Sequence, residues 1–163
     1  EWHLSEGKDI TAIVVNILEK HGLTQPDANI VIQCFYPETL KRLKNEFKVS
    51  MPLVQLIADN SWDESSVDYE HMQTKQGLEE VAIYASGIGP WLPQIYNPES
   101  GKGTALLYNA KALGLVIHPY TLRADDLAFD MDADTLLDLI QNKLRIDGIF
   151  TDHADIVLEK TKR

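Results

Sequence analysis

The chain has 163 residues, 44% hydrophobic and 25% charged, the composition of one ordinary globular domain. Its net charge is −10, with 25 acidic against 15 basic side chains, which excludes a nucleic-acid binder that needs a basic face. No apolar run reaches the ~20 residues of a membrane span, and a single cysteine, Cys34, excludes an internal disulfide.

Ile10, Ile13, Val14, Ile17 and Leu18 recur at helical spacing and predict a helix with one apolar face. Gly22 stops it and His21 complements its C-terminus. Residues 30–35 form an apolar run broken by Gln33, the pattern of a strand buried on both faces. Pro37 suits the first turn of the next helix, whose stripe is Leu40, Leu43 and Phe47. Residues 53–58 are the second strand, broken by Gln55. A long polar loop over residues 59–75 carries Trp62, Tyr69 and His71; loops of that length are often functional.

The next helix turns Leu78, Val81, Ala82 and Ala85 inward. Residues 87–90 make a short third strand and residues 91–103 a second long loop. A helix over residues 105–113 stops at Gly114, and residues 115–120 are the fourth strand. A third, acidic loop over residues 123–134 leads to a helix with Leu136, Leu137, Ile140 and Leu144. A fifth strand ends at Thr151, and Asp152 is placed to cap a final helix with Asp155 in its first turn.

Each β/α unit takes about 30 residues, and every long loop follows a strand, as in barrels that keep their sites at the carboxyl ends of the strands. The fold class expected is therefore α/β, a partial TIM (β/α)8 barrel. About five C-terminal β/α units are present over residues 1–163, and the first strands are missing from this chain. Five parallel strands cannot close, so the N-terminal part of the barrel, or a second chain, is expected as a partner.

Several motif matches fail. Asp130-Met131-Asp132-Ala133-Asp134 has the alternating acids of a calcium loop, but Thr135 and Gln141 stand where Gly and Glu are required. Gly101-Lys102-Gly103-Thr104 lacks the spacing of a phosphate loop, and Gly87-Ile88-Gly89 that of a dinucleotide fingerprint. Cys34 reads as a small core residue. His118 ends a strand with its facing open.

The candidates that remain are pocket walls. Gln33 and Gln55 are either satisfied core amides or substrate contacts. Arg123 has the guanidinium geometry to hold an anion, or it pairs with Asp125 or Asp126. Trp62 and Trp91 either wall a pocket or pack their own loops. Tyr120 lies at a strand end.

Four ordered segments carry a resemblance: Glu6-Gly7-Lys8-Asp9-Ile10; Gln33-Cys34-Phe35; His118-Pro119-Tyr120-Thr121 with Arg123; and Gly148-Ile149-Phe150-Thr151-Asp152. Val54-Gln55-Leu56-Ile57-Ala58 with Trp62, and Gly87-Ile88-Gly89-Pro90, extend it. Together they resemble the C-terminal part of the glycerophosphodiester phosphodiesterases, in their periplasmic bacterial branch.

The resemblance implies a TIM barrel that hydrolyses glycerophosphodiesters to glycerol 3-phosphate and an alcohol. It implies a divalent cation, Ca2+ or Mg2+, held by carboxylates, histidines as acid and base, and a periplasmic or secreted location. The family's His-Arg, Glu-x-Asp and Glu-x-Lys groups match nothing here; Glu1 falls in the loop after the third strand. Catalytic and metal-binding residues are therefore expected upstream, with none in this chain, and the isolated chain is expected to be inactive.

Gln33, Trp91, Tyr120 and Arg123 are the expected substrate-binding residues. Tyr120 takes a place where many relatives carry Trp, and His153-Ala154 departs from the usual aromatic-Pro. The alternative is a non-catalytic binding or structural fragment of the same fold.

Overall fold

The computed structural model describes residues 2–25 and 27–161; Glu1, on which one expectation falls, lies outside them. After a short helix, α1 (Trp2–Ser5), Asp9 caps α2 (Ile10–Lys20) by accepting from the Ala12 N–H at 3.1 Å. Strand β1 (Ile32–Cys34) leads into α3 (Pro37–Asn45), with proline in its first turn as expected. Strand β2 (Leu53–Ile57) is followed by a 3-10 turn at Asn60–Trp62 and the short helix α4 (Tyr69–Met72). Helix α5 (Lys75–Ala82), capped by Thr74, leads to β3 (Gly87–Pro90).

The long loop after β3 folds into a hairpin, β4 (Tyr96–Asn97) against β5 (Lys102–Gly103), which the sequence reading leaves as loop. Helix α6 (Ala105–Ala112) and β6 (Val116–Ile117) come next. Then follow α7 (Ala133–Asp138), which runs into a π-helical turn at Leu139–Lys143, and α8 (Ala154–Thr161).

Strands β1, β2, β3 and β6 form one parallel sheet in chain order. The fifth expected strand is present as a hydrogen-bonded segment rather than a regular strand. Gly148 and Phe150 donate to Ile117 and Pro119 at 3.4 and 3.0 Å, and Thr151 bridges Leu122 in parallel. Among the described residues the sheet does not close on itself.

The register sorts side chains onto two faces, because parallel partners point the same way and neighbours alternate. Ile57, Ile88 and Ile117 meet Leu40, Leu43, Leu78, Val81 and Leu107 of the helices in one buried core. Burying each such aliphatic side chain stabilises by about 1.5–3 kcal/mol. Gln33, Val54, Leu56, Gly87, Gly89 and His118 fall on the opposite face.

Four expectations need correction. The apolar stripe of α2 faces away from the core: Ile10, Ile13, Val14 and Ile17 are 37–50% exposed, and only Val15 of this helix is buried. The reason is β1, an edge strand, beyond which no described element covers the helix. For the same reason β1 is half-exposed and not buried on both faces. Ala82 is exposed although Leu78, Val81 and Ala85 are buried as expected. Finally, α8 starts at Ala154, so His153 and not Asp152 stands at its N-terminal boundary, and the His153 N–H donates to Thr151 Oγ1 at 2.9 Å.

Candidate functional site at the carboxyl ends of the strands

The residues that follow the parallel strands converge at one end of the sheet. Trp91 continues β3 and Tyr120 continues β6, and the two pair as a parallel bridge. The ladder that holds them is regular: Tyr120 N–H donates to Pro90 at 3.0 Å and Leu92 N–H to Tyr120 at 2.9 Å. By alternation both side chains belong to the face of Gly89 and His118, away from the helix layer. Gly89 is needed beneath them. A Cβ there would lie 2.5 Å from Leu56 Cδ2 and 3.1 Å from the His118 carbonyl oxygen.

Tyr120 is held in place from two sides. Its hydroxyl donates to the Ile57 carbonyl at 2.8 Å, and its ring meets Phe35 edge-on at 5.8 Å. Burial, with Tyr69, Glu64 and Asp59 nearby, pushes its phenol well above the usual tyrosine range. It is therefore a neutral, fixed wall and not an acid–base group at neutral pH. Phe35 also meets Tyr69 edge-on at 6.4 Å, so three rings bridge the ends of β1, β2 and β6.

Beside Tyr120 lies a cleft of about 340 Å3 lined by Trp62, Trp91, Tyr120, Arg123, Asp126 and Phe129, among others. Trp62 and Trp91 stand edge to face with centroids 5.3 Å apart and planes at 68°. The Trp91 N–H of the backbone donates to Gln94 Oε1, whose amide donates to Ala58 O at 2.8 Å, so the loop after β3 is tied back to β2. Three of the four expected binding residues, Trp91, Tyr120 and Arg123, thus share one cleft. Gln33 does not reach it: it stands exposed on the edge strand, on the same face but deeper along the strands.

Arg123 is paired. Its Nε and Nη2 meet both oxygens of Asp125 at 3.3 and 2.8 Å, and Asp152 Oδ2 lies 3.9 Å from Nε. Asp125 holds the guanidinium charged, and the guanidinium in turn holds the Asp125 carboxyl below the usual range. An anion that binds Arg123 must share or displace Asp125. Phe129 is a wall residue that sequence reasoning missed. Its only signal is a large apolar side chain in the middle of an acidic loop.

The other candidates resolve structurally. Gln55 faces the helix layer, wholly buried. Its amide donates to Phe35 O at 2.9 Å and Leu56 O at 2.8 Å, and its carbonyl accepts from the Tyr84 hydroxyl at 3.0 Å. It is a satisfied core amide. His118 packs its ring against Gly148, where a Cβ would come within 2.8 Å, and edge-on to Phe150 at 6.2 Å. Asp59 spends one carboxylate oxygen on the Ser61 N–H and hydroxyl at 2.9 and 2.6 Å. Among the described residues no group of three or more His, Cys, Asp or Glu side chains could hold a metal ion. The residues present therefore do not fit a cation site.

The cleft lies beyond the carboxyl ends of the parallel strands, the end at which α/β folds of this class carry their sites. Residues 1–156 match the glycerophosphoryl diester phosphodiesterase family, and the chain belongs to that family. It is 32% identical to the glycerophosphodiester phosphodiesterase of Haemophilus influenzae, over 99% of this chain and 50% of that protein. It is 26% identical to the one of Treponema pallidum, over 95% of this chain and 49% of that protein. Against glycerophosphodiester phosphodiesterase GDPD6 of Arabidopsis thaliana it is 29% identical, over 91% of this chain and 44% of the relative. The chain spans about half the length of the curated relatives it matches.

Proposed function

We propose that the full-length protein hydrolyses glycerophosphodiesters to glycerol 3-phosphate and an alcohol, and that residues 1–163 supply walls of its pocket. The observation that carries the reading is the convergence of Trp91, Tyr120 and Arg123 on one cleft at the carboxyl ends of the strands, in a chain of this family. In this reading the guanidinium of Arg123 holds a phosphoryl oxygen. The Tyr120 ring packs on the glycerol carbons, and its buried, neutral hydroxyl keeps the ring fixed.

The strands form an arc that further polypeptide completes. Support comes from the exposed β1 edge, the outward stripe of α2 and the sequential strand order. The divalent cation, Ca2+ or Mg2+, and the acid–base groups then belong to that further polypeptide, a part of the proposal that rests on family resemblance. A periplasmic or secreted location is part of the same proposal and rests on family resemblance alone.

The test is release of glycerol 3-phosphate from a glycerophosphodiester by the full-length protein, with and without chelator. Cation-dependent release that falls about tenfold or more in kcat/KM for Arg123→Ala upholds the reading. Release of inorganic phosphate instead, or no release with either cation, overturns it.

A further inference from the structure

Arg123 is pinned at its backbone and clamped along one edge of its guanidinium. Leu122 before it donates its N–H to Phe150 O at 2.8 Å and accepts from the Thr151 hydroxyl at 2.8 Å. Ala124 after it donates its N–H to His153 Nδ1 at 3.1 Å. The turn then closes, with the Asp126 N–H donating to Arg123 O at 3.3 Å. The main chain on both sides of Arg123 is thus fixed. Its long side chain still has freedom, and Asp125 removes it.

Asp125 takes the guanidinium from the side. Its two oxygens meet Nε at 3.3 Å and Nη2 at 2.8 Å. A guanidinium carries five N–H donors in a rigid fork, and this side-on pair uses one on Nε and one on Nη2. Nη1 has no hydrogen-bond partner among the described residues. Nη1 and the outer hydrogen of Nη2 form the end-on edge, whose geometry matches two oxygens of a phosphoryl group. Asp152 Oδ2, 3.9 Å from Nε, also stands on the clamped side. A carboxylate that competed with phosphate would sit on the end-on edge instead. Nor is the pair a prop for the fold: its side chains are 47% and 59% exposed, and ion pairs so exposed contribute little to stability.

We infer that Asp125 is a positioning residue, which clamps the Nε–Nη2 edge of Arg123 so that the Nη1–Nη2 edge meets a phosphoryl group in the cleft. The inference rests on the reading that Arg123 holds a phosphoryl oxygen, and it adds how that contact is set. A guanidinium held before the anion arrives loses less rotamer freedom on binding, which raises affinity. The charge of Asp125 opposes an anion, but water and salt weaken repulsion between exposed charges and leave the hydrogen-bond geometry intact.

The test is equilibrium binding of inorganic phosphate to the full-length protein by calorimetry, which needs no turnover. Asp125→Ala is expected to weaken phosphate about tenfold, and Asp125→Asn, which keeps one acceptor for the guanidinium, about threefold. Beside Arg123→Lys, which keeps the charge but has no second edge, Asp125→Ala is expected to change affinity by less than about twofold. Tighter or unchanged phosphate binding by Asp125→Ala overturns the inference, as does a tenfold loss that persists beside Arg123→Lys. The urea midpoint of Asp125→Ala is expected to match the parent. A midpoint lowered in step with affinity makes Asp125 structural and overturns the inference as well.

Failure of the underlying reading looks different. Arg123→Ala that binds phosphate as tightly as the parent removes the phosphoryl contact, and the clamp with it. Hydrolysis of a glycerophosphodiester with no effect of Asp125 on phosphate sinks the clamp and leaves the phosphodiesterase standing. The expected Asp125 effects without hydrolysis sink the phosphodiesterase and leave the clamp.

Discussion

Gln33 and Gln55 show what a residue type alone conveys. Each breaks an apolar strand, and in sequence they read alike. Register separates them: Gln33 pairs with Val54, and Gln55 with Cys34, so they face opposite sides of the sheet. Gln55 is fixed by the Cys34, Phe35 and Leu56 carbonyls and the Tyr84 hydroxyl, and replacing it with leucine leaves the buried Tyr84 hydroxyl without its acceptor. Gln55→Leu is expected to cost about 1–3 kcal/mol, read as a lower urea midpoint with unchanged slope. An unchanged midpoint would mean that water satisfies those groups.

Tyr84 and Tyr120 are the phenols whose burial bears on stability at alkaline pH. Burial raises both phenols above the unfolded value. For a raised group, the stability it contributes is fully present below the unfolded value of about 10 and is lost as pH rises through the folded one. Tyr120→Phe is therefore expected to be less stable than the parent at pH 8, through the lost bond to Ile57, yet to lose less stability between pH 8 and about 11. Urea midpoints at the two pH values check both signs.

Glycine decides how closely the elements approach. At Gly77, where α5 starts beside α4, a Cβ would overlap the His71 carbonyl, and at Gly87 it would lie 2.7 Å from the Val116 carbonyl oxygen. Both obstacles are backbone and cannot rotate away. At Gly89 the nearest atom is the end of the Leu56 side chain. Gly77→Ala and Gly87→Ala are therefore expected to destabilise by about 1–3 kcal/mol, and Gly89→Ala by less, as thermal midpoints would show.

The α2 element was legible as a helix, from its spacing and from Asp9, but not in its orientation. Periodicity reveals an apolar face without saying what covers it. The structure fixes α2 through Asp9, which meets Arg42 Nη1 and Nη2 at 3.2 and 2.8 Å, while the apolar stripe stays outward. The same limit applies to β1. Its Ile32 N–H donates to Pro52 at 3.0 Å, and parallel alternation turns the Val31 and Gln33 N–H groups away from β2. In full-length protein those two amides are expected to exchange slowly, protected by a further strand, and in residues 1–163 alone to exchange freely. Equal exchange in both would remove the further strand. The β4–β5 hairpin has its turn signal in Asn97-Pro98 and Ser100-Gly101, but its two-residue strands are too short to show alternation, and Phe129 stands in an acidic loop with no periodicity around it.

At the scale of the molecule, the order of strands, the helix layer and the placement of long loops after strands could all be read from about 30-residue periodicity. What could not be read is which loop residues meet, since Trp62, Trp91 and Arg123 come from three different loops and are brought together only by the pairing of the parallel strands. Under the proposed function, this chain shapes and charges the pocket, and the reacting groups come from polypeptide that completes the arc.

The most direct measurement of that division compares residues 1–163 with the full-length protein, at equal folded concentration, for cation-dependent release of glycerol 3-phosphate from glycerophosphocholine. Release by the full-length protein and none by residues 1–163 is the predicted result. Chelator-sensitive turnover by residues 1–163 alone would contradict it.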